Sequence, residues 1–159
     1  MANFSSRPQN IKNTGFEAQI LKTITTLNDQ IFAKKTELLS IWGMTVLQHN
    51  ALQVLYDNDT QKTGLSNKEI GRGLTTRVPD ITRLLDRLAD KGWVKRERDN
   101  NNRRIVRTTL TQIGTELVES SAQPLIELQQ KMLAHMTQQE KEQLASLLKS
   151  FSEKVPDLS

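Results

Sequence analysis

The chain has 159 residues, of which 36% are hydrophobic and 25% are charged, so it can bury a core and lacks the composition of a disordered protein. It contains no cysteine, which excludes disulfides, thiolate metal sites and thiol redox switches and fits a cytoplasmic protein. The formal net charge of +4 is modest, so the distribution of charge along the chain is more informative than the total.

Residues 1–15 contain no apolar run that could form the core of a signal peptide, and we expect a flexible arm there. From Phe16 to Leu39, apolar residues recur at three- and four-residue steps and predict a long amphipathic helix that ends near Gly43. Thr45 is placed to N-cap a second helix. Polar residues interrupt the uncharged stretch 38–56, which therefore predicts a buried segment and no membrane span.

Two short helices joined by a tight turn are predicted next. Ser66 and Glu69 have the spacing of a capping box, which indicates the start of the first helix. The turn falls at residues 75–76, and the second helix is expected to begin at about Pro79 and to stop at Gly92. One face of this second helix is apolar and the other is polar, which predicts a helix-turn-helix.

A basic β-hairpin follows the second short helix. The β-forming pairs 93–94 and 105–106 flank the polar run 99–102, whose residues tolerate turn geometry. The segment 67–107 contains 12 of the 22 lysines and arginines and has a net charge of +6, whereas the rest of the chain sums to −2. A helix and a hairpin that are both basic indicate duplex nucleic acid as the partner.

The last part of the chain predicts two helices. Thr111 can N-cap a long helix that contains Pro124 and carries an apolar stripe as far as Met136. Thr137 and Glu140 repeat the capping-box spacing at the start of a final helix. Because both ends of the chain carry apolar stripes, we expect a homodimer.

The run TRLLDRLADKGWVKRERDNNNRRIVRTTLTQIG, residues 82–114, resembles the MarR (multiple antibiotic resistance regulator) family of winged helix-turn-helix regulators. It has the recognition helix, Lys-Gly stop, basic wing strand, polar tip, Arg-rich return strand and Leu-Thr-x-x-Gly of that family, and the resemblance extends from Phe16 to Phe151. It implies a mainly α fold with a small β-hairpin wing. Residues 45–111 would form the winged helix-turn-helix DNA-binding domain, and residues 16–44 and 112–159 a helical dimerisation region.

The resemblance also implies a function. By this resemblance, the protein would be a homodimer that binds a pseudo-palindromic operator in double-stranded DNA and represses transcription. A small aromatic or anionic effector would release it from the DNA, and no other cofactor is expected. The family's wing usually has an aspartate two places before its tip arginine, where this chain has Asn102 before Arg104. The resemblance therefore predicts that the usual bracing of the wing tip is lost.

Ten residues are candidates for contacts with DNA. Thr82 and Arg83 would lie on the exposed face of the recognition helix and reach base edges or phosphates. Asp80 would accept from a cytosine amine or place a carboxylate at the positive end of the helix. At the wing tip Arg104, and after it Arg103, would enter the minor groove. The remaining candidates would bind phosphate, or would instead cap a helix or keep the surface soluble: Ser66, Asn67, Arg77, Arg96 and Arg98.

The sequence leaves one alternative function open and disfavours another. The same fold could coat DNA without sequence preference or mediate contacts between proteins. An enzyme is disfavoured, because the sequence shows no nucleophile-base-acid set, no phosphate-binding glycine loop beyond a lone Gly-Arg-Gly at 71–73, and no acidic cluster for a metal.

Overall fold

The structure, a computed structural model, describes residues 15–74, 78–99 and 102–155. The predicted arm lies outside these residues except for Gly15, as do the predicted turn residues Thr75 and Thr76. The described elements, in chain order, are α1 (Phe16–Leu39), a 3-10 turn (Ser40–Trp42), α2 (Val46–Asn58), β1 (Leu65–Ser66), α3 (Asn67–Gly73), α4 (Ile81–Asp90), β2 (Val94–Arg98), β3 (Val106–Leu110), α5 (Gln112–Met132) and α6 (Gln138–Lys154).

The predicted mainly helical fold with a winged helix-turn-helix is confirmed. The hairpin β2–β3 is antiparallel, with Val94 opposite Leu110 and Arg98 opposite Val106. A third strand, β1, pairs with β3 to give the strand order β1-β3-β2. The sequence did not predict β1, because two residues are too short to show an alternating pattern.

The chain divides into two compact units, one ending at Leu47 and the other beginning at Gln48. In the first unit α1 runs into the 3-10 turn, and Gly43 then adopts a left-handed φ of +63°. Glycine takes this conformation at little steric cost, so Gly43 ends the helical segment as predicted.

The second unit is built around the inward faces of α2 to α5. Its fully buried side chains include Leu55 from α2, Ile70 from α3, Leu85 and Leu88 from α4, and Val118 from α5, none more than 2% exposed. Burying a side chain of this size stabilises the fold by about 1.5–3 kcal/mol. These packed faces fix the exposed sides of α3 and α4.

Two predicted boundaries were wrong. Helix α4 begins at Ile81 and not at Pro79, because Asp80 takes the N-cap position and its side chain accepts a hydrogen bond from the backbone N–H of Arg83. Helix α5 ends at Met132, so Met136 is not part of it. A short turn leads from there to Thr137, which adopts the extended conformation of an N-cap and starts α6 with the predicted capping box.

Large apolar side chains remain exposed on α1 and α6. On α1 they are Phe16, Ile20, Leu21, Leu27, Ile31 and Phe32. On α6 they are Leu144, Leu147, Leu148 and Phe151. None of the described helices combines the length and apolar character needed to cross a bilayer.

Candidate nucleic-acid interface

The start of α3 is fixed by a capping box. The Ser66 hydroxyl accepts from the Glu69 amide at 3.3 Å, and the Glu69 carboxylate accepts from the Ser66 amide at 2.7 Å and from its hydroxyl at 2.6 Å. These hydrogen bonds, led by the one from the hydroxyl, lower the pKa of Glu69 below its ordinary value. Capping therefore accounts for Ser66, and its contact with phosphate stays a prediction.

The start of α4 exposes two of the candidate contact residues. Asp80 caps this helix, with its carboxylate 2.9 Å from the Arg83 amide, so the carboxylate lies at the positive end of the helix dipole. Thr82 and Arg83 lie in the first turn of α4, and both are exposed. The Thr82 hydroxyl oxygen accepts from the side-chain amide of Asn67 at 3.0 Å, which joins two of the predicted contacts.

Arg96 differs most from its expected surroundings. Its side chain is only 14% exposed, and its guanidinium forms an ion pair with Asp86 of α4. The same guanidinium donates to the side-chain oxygen of Asn67 at 3.4 Å. Arg96 is therefore largely covered by its contacts with α4 and α3, and is not the exposed hairpin residue that the sequence suggested.

The base of the wing is held by Arg107. Its guanidinium forms an ion pair with Asp99 and donates to the carbonyl oxygen of Gly64 at 2.9 Å. The hydrogen bond to Asp99 raises the pKa of Arg107 above its ordinary value. Since Gly64 directly precedes β1, the Arg107 side chain connects the hairpin to the loop before β1.

The wing tip is braced through the backbone. The Asn102 backbone N–H donates to the Asp99 carboxylate at 2.9 Å. The Asn102 side-chain oxygen accepts from the Arg104 backbone N–H at 3.1 Å. Asn102 therefore orders the tip without an aspartate in its place. The side chains of Arg103 and Arg104 are exposed, and no ion pair involves either within the part of the chain that is described.

The candidate residues thus fall into separate groups. Asn67, Thr82 and Arg96 meet across α3, α4 and β2, whereas Arg103 and Arg104 stand at the wing tip. Arg98 is exposed near the end of β2, and Arg77 lies outside the described residues.

Sequence reasoning missed three residues that position these groups, namely Asp86, Asp99 and Arg107. The Asp86–Arg96 pair joins a helix to a strand, so neither helical nor strand periodicity could reveal it. The Asp99–Arg107 pair crosses the hairpin, and only the strand register of Arg98 opposite Val106 could have suggested it.

Comparisons with known proteins agree with this geometry. The sequence profile of the MarR family matches residues 44–106. The multiple antibiotic resistance protein MarR of Salmonella typhimurium is 35% identical over 84 residues, which are 52% of this chain and 58% of that protein. The uncharacterized HTH-type transcriptional regulator YdgJ of Bacillus subtilis is 28% identical over 132 residues, which are 83% of this chain and 76% of that protein.

A solved structure shares the fold over most of the chain. The Staphylococcus aureus MepR-DNA complex superimposes with a TM-score of 0.71 and 22% sequence identity, covering 89% of this chain and 97% of MepR. The matched profile includes α3, α4 and β2, which hold the hydrogen-bonded group at Asn67 and Thr82. Residues 44–106 therefore resemble the MarR family of transcription regulators in sequence, and most of the chain shares the fold of the MepR structure.

Proposed function

We propose that this protein is a homodimeric repressor that binds a pseudo-palindromic operator and is released from it by a small aromatic or anionic effector. The observation that carries the proposal is the pairing of two exposed elements. Helix α4 presents Thr82 and Arg83, which suit base edges and phosphates in the major groove. The braced wing presents Arg103 and Arg104, which suit the narrow minor groove.

The exposed apolar faces support a dimer. Phe16 on α1 is 74% exposed and Leu147 on α6 is 70% exposed. Several large apolar side chains left exposed on one helix suggest an interaction surface, and a second copy of the chain can cover the apolar face of each helix through a two-fold axis. A two-fold dimer would place two recognition helices on half-sites about one helical turn of DNA apart.

Repression and release are the finer parts of the proposal. A dimer bound across the polymerase site of a promoter would block access of the polymerase, so binding there would be sufficient to repress. The resemblance to MarR supports release by a small molecule. A small anionic or aromatic compound that binds the free protein more tightly than the DNA-bound protein would shift the population off the operator.

Selection of bound duplexes from a random pool, followed by footprinting, tests the proposal. We expect a discrete protected palindrome and specific binding about a thousandfold tighter than binding to random duplex at the same salt concentration. Uniform protection would favour a protein that coats DNA, and sedimentation as a stable monomer at micromolar concentration would exclude the dimer. Titrating small aromatic acids into the complex then tests release.

A further inference from the structure

Four polar side chains of the second unit form a continuous hydrogen-bonded chain, in which Arg96 is largely covered. Asp86 pairs with Arg96, Arg96 donates to Asn67, and Asn67 donates to Thr82. The chain crosses from α4 to β2, from β2 to α3, and back to α4. It therefore connects a largely covered guanidinium, paired with Asp86, to a residue that is exposed at the start of the recognition helix.

The chemistry of arginine sets the direction of these hydrogen bonds. A guanidinium has only donors, so the Asn67 atom that faces Arg96 must be the carbonyl oxygen. The Asn67 amide nitrogen is then turned toward Thr82, and the Thr82 oxygen accepts from it at 3.0 Å. A hydroxyl has one hydrogen, and Thr82 does not use it toward Asn67. Thr82 can therefore offer that hydrogen to a partner outside the protein.

Arg96 is the more covered member of its ion pair with Asp86. The Arg96 side chain is 14% exposed, so its guanidinium is largely withdrawn from water and paired with a carboxylate on the recognition helix itself. Charge-assisted hydrogen bonds of a planar guanidinium are strong and directional. Holding Arg96 in place thus holds the Asn67 carboxamide in one of its two orientations.

We propose that Arg96 is a positioning residue that, anchored by Asp86, orients Asn67 so that Thr82 presents a hydrogen-bond donor to DNA. The inference rests on the proposed function, because it assigns how a DNA-reading helix is prepared. The partner of Thr82 is an acceptor on the DNA, which is a phosphate oxygen or an acceptor on a base edge in the major groove.

A matched pair of charge-neutralising variants tests the anchor. Asp86→Asn and Asp90→Asn each remove one negative charge from α4, so electrostatics alone would tighten DNA binding in both. Loss of the anchor weakens binding to the selected operator by about tenfold in Asp86→Asn only, while binding to random duplex is unchanged or tighter. Equal operator affinity in the two variants would overturn the proposal. Absence of any operator preference in the unaltered protein would instead overturn the proposed function.

The salt dependence of Arg96→Gln separates positioning from direct contact. A residue that neutralises a phosphate contributes about 0.9 to the slope of log K against log salt concentration. Positioning predicts weaker operator binding with an unchanged slope, and a slope reduced by about 0.9 would overturn it. If Arg96→Gln does not fold, as judged by circular dichroism, Asp86→Asn and the cycle below still decide the proposal.

A double-mutant cycle tests the donor role of Thr82. The Asn67→Asp carboxylate has only acceptors, so the Thr82 hydroxyl would donate its hydrogen to that carboxylate and not to DNA. We expect Thr82→Val to weaken operator binding about tenfold in the unaltered background and less than about twofold in the Asn67→Asp background, while Thr82→Ser keeps the affinity. An equal cost in both backgrounds would overturn the assignment.

Modified operators identify the acceptor. Methylphosphonate substitution at single phosphates removes a charged acceptor oxygen, and 7-deazapurines remove the N7 acceptor of a base. Loss of the Thr82→Val effect on one set of modified duplexes supports the proposal and assigns the partner as phosphate or purine edge. If thymine O4 and guanine O6 analogues are included and the effect persists on every modified duplex, the donor role is refuted.

Discussion

The recognition-helix region and the wing use polar side chains in opposite ways. Around α4, Asn67 links Arg96 to Thr82 through two hydrogen bonds, and the arginine is covered. At the wing tip the bracing is made by backbone amides with Asp99 and Asn102, and the arginine side chains are left exposed. The Thr82 hydroxyl is neutral and held by a hydrogen bond, which suits discrimination between DNA sequences. The exposed guanidinium groups of the wing tip instead supply salt-dependent affinity. Substitutions in the two regions should therefore have separable effects.

The largest expected effect lies at Gly114, where α5 closely approaches the segment that joins the recognition helix to the wing. A Cβ added at Gly114 would be 2.0 Å from the carbonyl oxygen of Trp93, which precedes β2. Backbone cannot move aside as a flexible side chain can, so we expect Gly114→Ala to lower the free energy of unfolding by about 3 kcal/mol. Urea unfolding measures the change.

Gly71→Ala is the matched control, because a Cβ there meets no atom within 4 Å. It should be neutral or slightly stabilising, since alanine has the higher helix propensity. If Gly114→Ala unfolded at the same urea concentration as Gly71→Ala, the close approach of α5 to the segment that joins the recognition helix to the wing would be wrong.

Arg104→Ala tests the wing alone. The exposed guanidinium is predicted to enter the minor groove, so its removal should weaken operator binding by about 1–3 kcal/mol. We expect a smaller slope of log K against log salt concentration and no change in the urea midpoint. Fluorescence anisotropy at several salt concentrations measures both quantities.

Arg87→Ala is a control with the same charge change in the recognition-helix region. Arg87 lies in the last turn of α4, where a cation offsets the helix dipole. It should affect operator binding less than Arg104→Ala does. Larger losses for Arg87 than for Arg104 would reverse the assignment of salt-dependent affinity to the wing.

Much of this comparison could be drawn from the sequence, and its limits have physical causes. Local signals were sufficient for the capping boxes at Ser66 and Thr137, for the Thr111 cap and for the hairpin, because each depends on residues within a few positions of one another. The start of α4 was misplaced because proline is common at a first helical position, yet the Asp80 carboxylate was available to cap.

Contacts between secondary-structure elements could not be predicted from the sequence. Whether Arg96 faces solvent or Asp86 depends on how α4 packs on β2, and periodicity in one element says nothing about that packing. The same reason hides the contact of Arg107 with Gly64, 43 residues away in sequence. The predicted DNA contacts themselves stay predictions that the variants above address.

Arg107→Gln sharpens the comparison at the base of the wing. The change removes the ion pair with Asp99 and weakens the hydrogen bond to Gly64, so the hairpin should lose order while α4 keeps its position. Operator binding should weaken by less than for Arg104→Ala, because the tip arginines are retained. Hydrogen exchange should quicken at the β2 and β3 amides and not at those of α4, and quickening in both would mean that the regions are not separable.

The smallest expected effect is a pH-dependent one at Glu69. Because its pKa is lowered in the fold by the Ser66 hydrogen bonds, its carboxylate stabilises the protein above the ordinary value of 4.5, and the contribution is lost as the pH falls through the folded pKa. We expect Glu69→Gln to cost less than about 1 kcal/mol at pH 7, since the carboxylate is largely exposed, and to approach the unaltered protein in stability as the pH falls through the lowered pKa of Glu69. Urea unfolding from pH 3 to 7 measures this difference.

Glu140→Gln provides the control, since hydrogen bonds from Thr137 lower the pKa of Glu140 in the same kind of capping box at the start of α6. Both variants should show a stability loss that fades as the pH falls, because both carboxylates are stabilising only when ionised. Only Glu69→Gln should also weaken operator binding at neutral pH, since Glu69 fixes the start of the helix that bears Asn67. A stability loss that grows toward low pH would contradict the sign of both shifts. An equal effect on operator binding would detach the α3 cap from the recognition-helix region.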